Sequence, residues 1–113
     1  MNMNAYQNIA LSTLSDGHEY GDISAKLIDQ VFGLVGESGE VAEKFKKLIR
    51  DKKGKLTDEN KAEIIKELGD VLWYITTISH LLGSSLDEVA KMNNEKLLGR
   101  QARGRIAGSG DNR

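Results

Sequence analysis

The chain has 113 residues, with 12 glycines, no proline, no cysteine and a formal net charge of −1. That length fits a single domain over 1–113, and the balanced charge argues against a general binder of nucleic-acid polymers. Lack of cysteine excludes disulfides, zinc–thiolate sites and cysteine nucleophiles, and no stretch approaches the roughly 18 consecutive apolar residues of a membrane span.

Residues 4 to 14 read as a first helix, with Tyr6, Ile9, Ala10 and Leu14 at helical spacing. SDGHEYGD at 15–22 is a turn-rich loop, and Asp22 or Ser24 is placed to cap the next helix. This second helix is predicted from about Ile23 to Asp51, with Leu27, Val31, Leu34, Val41, Phe45 and Leu48 as its apolar stripe. KKGK at 52–55 ends it. Thr57 is a good N-cap for a third helix, whose stripe is Ile64, Leu68, Val71, Ile75, Ile78 and Leu82 and whose stop is Gly83. A fourth helix begins near Leu86 behind Ser84 or Ser85 and runs to about Arg100, before a glycine-rich tail at 103–113. Either its Arg103, Arg105 and Arg113 fold back over bound phosphates or, the favoured expectation, the tail is disordered or serves a neighbouring subunit. Nothing alternates like a strand. The expectation is an all-α, four-helix bundle-like subunit around a long helical hairpin. A domain this small buries a modest share of its surface, which favours an oligomer. Met1 to Gln7 carry no apolar signal core, so a cytoplasmic location without membrane association is expected.

Charges cluster locally. Lys46 to Lys55 holds six basic residues and one acid, and Lys91 to Arg113 holds six basic residues against Glu95 and Asp111. Such patches are usually solvated surface; the alternative use of basic groups is to meet phosphates.

Two segments echo one another at an offset of 30 residues: Glu37-Ser38-Gly39-Glu40-Val41 and Glu67-Leu68-Gly69-Asp70-Val71. At about 100° per residue, each acid pair falls on the same flank of its apolar stripe. Glu40 lies 11 residues before Asp51, and Asp70 lies 11 residues after Glu59. An antiparallel hairpin around the 52–58 turn therefore brings both pairs to one level, about 16 Å from the turn. Four converging carboxylates repel one another and are costly to desolvate unless a cation neutralises them. Hard oxygen ligands without histidine or cysteine favour Mg²⁺ or Mn²⁺ over zinc, and Mg²⁺ commonly completes its shell with substrate phosphates. One acid pair at i, i+3 would be a weak signal; the matched levels make the two pairs a single candidate site.

Gly33, Gly36 and Gly39 fall every third residue inside a predicted helix, where each costs about 1 kcal/mol relative to alanine. Close approach of a helix or ligand would explain them, and so would a local kink.

These residues carry a resemblance. Glu37-x-x-Glu40 and Glu67-x-x-Asp70, with 26 residues between them, resemble the MazG-like branch of the all-α nucleoside triphosphate pyrophosphohydrolases. The match continues through Gly36 to Lys44 and through Glu67 to Tyr74. Asn93-x-x-Lys96-Leu97-x-x-Arg100 resembles the family's asparagine–lysine–arginine element. The resemblance implies hydrolysis of an NTP or dNTP to the monophosphate and pyrophosphate, in the manner of a nucleotide-pool-cleaning enzyme. It implies Mg²⁺ on Glu37, Glu40, Glu67 and Asp70, phosphate contacts from Lys96, Arg100 and Asn93, and a homodimer or homotetramer.

In this reading water is the nucleophile, oriented or deprotonated by Glu40. Lys96 and Arg100, four apart on one helix face, hold the leaving pyrophosphate. Lys44, one turn beyond Glu40, either reaches a phosphate or pairs with a neighbouring acid. Tyr74, one turn beyond Asp70, either walls the sugar and base or packs in the core. His18 and His80 have no partner motif and receive no role. The competing expectation is a non-enzymatic helical oligomerisation or regulatory module, in which the acids are ordinary surface.

Overall fold

In the computed structural model, which describes residues 2–113, four helices occur and no strand is present among the described residues. They are α1 (Met3–Ser12), α2 (Ala25–Lys52), α3 (Asp58–Leu81) and α4 (Leu86–Ala102). Each start is fixed by a side chain that satisfies an otherwise orphaned amide. Asn2 accepts from the Ala5 amide at 2.8 Å, Ser24 from Leu27 at 3.1 Å and Ser85 from Glu88 at 3.1 Å. Thr57 forms a capping box with Asn60: each side chain accepts from the other's backbone amide. Asp22 is passed over, because the chain is still turning there, with the Ile23 amide donating to the Tyr20 carbonyl at 2.8 Å.

The α2 terminus is left-handed at Lys53 (φ 55°) and Gly54 (φ 75°), and the Gly54 amide closes back on the Leu48 carbonyl at 3.0 Å. Gly83 (φ 75°) ends the α3 region, with the Ser84 amide bonding the Ser79 carbonyl at 2.8 Å. These two turns fold α2 against α3 along most of their length and bring α4 back across the end of α3.

The helices do not close into a bundle within one chain. Among the described residues no helix packs on α1, and Ile64 is the only buried apolar side chain. The radius of gyration is 20.0 Å, against about 13 Å for a compact domain of this length. The accessible surface is 9391 Å², against about 6,200 Å² for a folded monomer of 12.5 kDa. The excess is apolar in large part: Phe32, Val35, Ile49 and Ile65 are each about two-thirds exposed. At about 100° per residue, Val35 and Ile49 lie on the flank of α2 opposite Glu40, with Phe32 about 80° round from Glu40 between the two, so most of the exposed apolar surface of α2 is turned away from the acidic face.

No helix among the described residues is long and apolar enough to cross a membrane.

Candidate metal centre

The hairpin delivers the acids to one level. Carboxylate oxygens of Glu37, Glu67 and Asp70 lie within 4.8 Å of one another across the α2–α3 contact. Glu37 and Glu67 are half-buried and Asp70 is exposed. Loss of hydration raises the Glu37 carboxyl above its ordinary value; the Asp70 charge, a hydrogen bond and the charge of Glu67, and the Glu40 charge push the same way. Glu37 thus carries the strain of three like-charged neighbours. A divalent cation held by hard oxygen donors removes that repulsion, so the donor set fits Mg²⁺ or Mn²⁺.

Glu40 does not join this group. Its side chain is exposed, one turn along α2 from Glu37 and turned further onto the open acidic face. Lys44 takes the second of its two expected uses: its ammonium lies 3.7 Å from Glu67.

Tyr74 spans the helix pair. A Cβ on Gly33 would run into its ring, so glycine at 33 is what lets α3 present a tyrosine there. The ring meets Trp73 edge to face with centroids 5.0 Å apart. Gly36 and Gly39 face open space and neither kinks the helix, which runs unbroken from Ala25 to Lys52. Close approach explains only the first of the three glycines within this chain.

Beyond Tyr74 a cleft on the same acidic flank is lined by Lys26, Gln30, Trp73, Thr76, Thr77, His80 and Leu81. Thr77 donates its hydroxyl to the Gln30 side-chain carbonyl at 2.9 Å, fixing that amide at the cleft wall. Sequence reasoning gives Gln30, Thr77 and His80 no part in a site. The only available signal is helical phase, which puts Gln30 within about 20° of Glu37 and Thr77 within about 20° of Asp70, whereas His80 lies about 80° from Asp70 and has no such signal.

Asn93 and Lys96 line a groove between α3 and α4, beside Leu72 and Ile75. Arg100 is only 5% exposed. Lys96 and Arg100 both face the carboxylate of Asp111 in the tail, at 3.6 and 3.5 Å. Of the expectations for the tail, disorder or service to a neighbour is favoured by the sequence over a fold-back of Arg103, Arg105 and Arg113; the tail does fold back, onto α4, and it is Asp111 rather than an arginine that meets Lys96 and Arg100. Asp111 has no helical phase to betray it, which is why spacing does not find it.

Comparison with known proteins gives the family. The family model for the MazG nucleotide pyrophosphohydrolase domain matches residues 29–104, spanning both acidic motifs and the Asn93–Arg100 element. The chain is 51% identical over 81 residues to "Gene 37 protein" of Mycobacterium phage L5, covering 72% of this chain and 71% of that one. No solved structure matches the chain significantly.

Proposed function

The chain belongs to the MazG nucleotide pyrophosphohydrolase family, and we propose that it hydrolyses nucleoside or deoxynucleoside triphosphates to the monophosphate and pyrophosphate with Mg²⁺, cleaning the nucleotide pool of the cytoplasm. The observation that carries this reading is the meeting of Glu37, Glu67 and Asp70 within 4.8 Å, at the level their distance from the turn predicted. Three carboxylates brought together without a cation only weaken a fold. Mg²⁺, with Mn²⁺ as substitute, supplies charge that offsets the acids and polarises the phosphate chain. Four acids and a triphosphate exceed the charge of one divalent ion, so the site suits more than one.

In this reading each site residue has a role. Glu37, Glu67 and Asp70 hold the metal, and Glu40 completes the set from the open face. There Glu40 also orients water against phosphorus and accepts its proton. Lys96 and Arg100 hold the departing pyrophosphate, with Asn93 donating to a phosphate oxygen. Lys44 exchanges Glu67 for a phosphate when substrate enters. Tyr74 walls the sugar and base, and Trp73 extends that wall into the cleft beside it.

The working form is a homodimer or homotetramer. The surplus of about 3,200 Å² over a folded monomer of this mass is the size of an obligate interface. A second copy on the Val35–Ile49 face covers the apolar side and leaves the acidic side free. The competing reading, a non-enzymatic oligomerisation module, uses that same apolar face but gives the acids no work.

A pyrophosphate-release screen over canonical and damaged NTPs and dNTPs, with products identified, tests the proposal. Monophosphate and pyrophosphate are expected; orthophosphate and a diphosphate would overturn it.

A further inference from the structure

The tail after α4 has no part in the proposed chemistry, yet it is well fastened. Arg100 donates to the carbonyls of Asp111 at 2.6 Å and Gly110 at 3.3 Å, and its Nε is buried without a partner. The Asp111 carboxylate stands between Lys96 and Arg100, 3.6 and 3.5 Å away. Arg113 acts as the clasp, donating to the carbonyls of Gly110, Ile106 and Arg105 at 2.6, 2.9 and 3.1 Å. Gly104, Gly108 and Gly110 all have positive φ, which permits the reversal.

We infer that this tail is an autoinhibitory strap: Asp111 occupies the Lys96–Arg100 pair in place of a substrate phosphate, and a polyphosphate must displace it to bind. The inference rests on the reading of Lys96 and Arg100 as phosphate contacts. Its physical basis is a competition between anions. One carboxylate offers a single charge to two cations, and it leaves the buried Arg100 Nε unmet. A triphosphate brings several charges and more acceptor oxygens to the same donors. The Asp111 side chain is 86% exposed and its Lys96 partner 41%, so that ion pair is screened and is the part of the fastening that a competing anion displaces first.

The test uses inorganic tripolyphosphate as probe, with binding measured by calorimetry on the full chain and its variants. Asp111→Asn is expected to tighten binding about fivefold, the factor that a screened surface pair represents. Arg113→Ala discriminates more sharply. It removes a positive charge, so simple electrostatics predicts weaker anion binding, whereas releasing the clasp predicts tighter binding. Trypsin supplies a structural readout: tripolyphosphate should speed cleavage after Arg105 in the unmodified chain. Unchanged or weaker binding in both variants, with Lys96→Ala still weakening it, overturns the strap while leaving the phosphate contacts standing. Lys96→Ala without effect overturns the phosphate-contact reading itself, and the strap with it.

Discussion

The Lys44 ammonium lies 3.7 Å from the Glu67 carboxylate, reaching from α2 to α3 beside the acid cluster. It is the chain's own counter-ion there, the Lys44 side chain being 32% and the Glu67 side chain 21% exposed. A cation so placed helps the metal-free fold and opposes the entry of a divalent ion. Lys44→Gln should therefore tighten Mg²⁺ binding several-fold, equivalent to about 1 kcal/mol of relieved repulsion. The same variant should raise KM for nucleotide, because the group that swings to phosphate is gone. Calorimetric Mg²⁺ titration and steady-state kinetics read the two effects separately, and weaker Mg²⁺ binding would refute the first.

The division between Glu40 and the other three acids predicts two kinds of loss. Asp70→Asn removes a member of the converged group and should weaken Mg²⁺ at least about tenfold. The thermal stabilisation given by millimolar Mg²⁺ should shrink accordingly. Glu40→Gln leaves the converged trio intact, so most of that stabilisation should survive while turnover falls by about 10²- to 10⁴-fold, as when a general base is lost. Equal loss of metal binding in both variants would place Glu40 among the primary ligands.

Whether a feature is legible in the sequence depends on its being local or periodic. Thr57, the Gly54 turn and the Gly83 stop are local chemistry and appear where the sequence predicts them. The acid cluster is legible because an unbroken hairpin converts residue counts into heights. Glu40 shows the limit: phase places it on the right flank, but not within reach of the other three. The bundle is inferred from helix count, and one chain does not close it, because α1 finds nothing within the chain to pack against. The Asp111 contacts arise from a glycine-rich return with no period at all.

The Gly33–Tyr74 contact gives a packing prediction that does not depend on catalysis. Alanine normally gains about 1 kcal/mol over glycine within a helix. At position 33 the added methyl meets the Tyr74 ring, and overpacking of this kind costs about 1–3 kcal/mol. Gly33→Ala should therefore be neutral to destabilising, whereas Gly36→Ala, with open space around it in the subunit, should not be. Tyr74→Leu should restore stability to Gly33→Ala in a double-mutant cycle, and strict additivity would rule out the contact.

Trp73 is the chain's single tryptophan, 57% exposed and on the cleft wall beyond Asp70. If the base lies along Tyr74 and Trp73, a nucleoside triphosphate should quench its fluorescence while tripolyphosphate, which lacks a base, should not. Titration with Ca²⁺ in place of Mg²⁺ would slow turnover during the measurement. Nucleotide that binds by calorimetry without changing the emission would put the base elsewhere.

The raised Glu37 carboxyl makes the metal-free protein and the metal complex respond to pH in opposite ways. In the metal-free fold, desolvation, then the charge of Asp70 and the hydrogen bond and charge of Glu67, make ionised Glu37 unfavourable. The destabilisation is fully present above the folded pKa. It is relieved as pH falls through that value and is gone by the ordinary value of 4.5, where the unfolded chain protonates too. Glu43 and Asp51 run the other way. The hydrogen bond from Lys46 lowers the first and that from Arg50 lowers the second, so their stabilisation is lost as pH falls through their depressed values. The difference in Tm between the unmodified chain and Glu37→Gln isolates the Glu37 contribution. In EDTA the unmodified chain should gain on its variant as pH drops toward 4.5. With Mg²⁺, which requires the ionised carboxylate, it should lose ground over the same window. A Mg²⁺ stabilisation that stays constant down to that pH would mean that Glu37 is not a ligand.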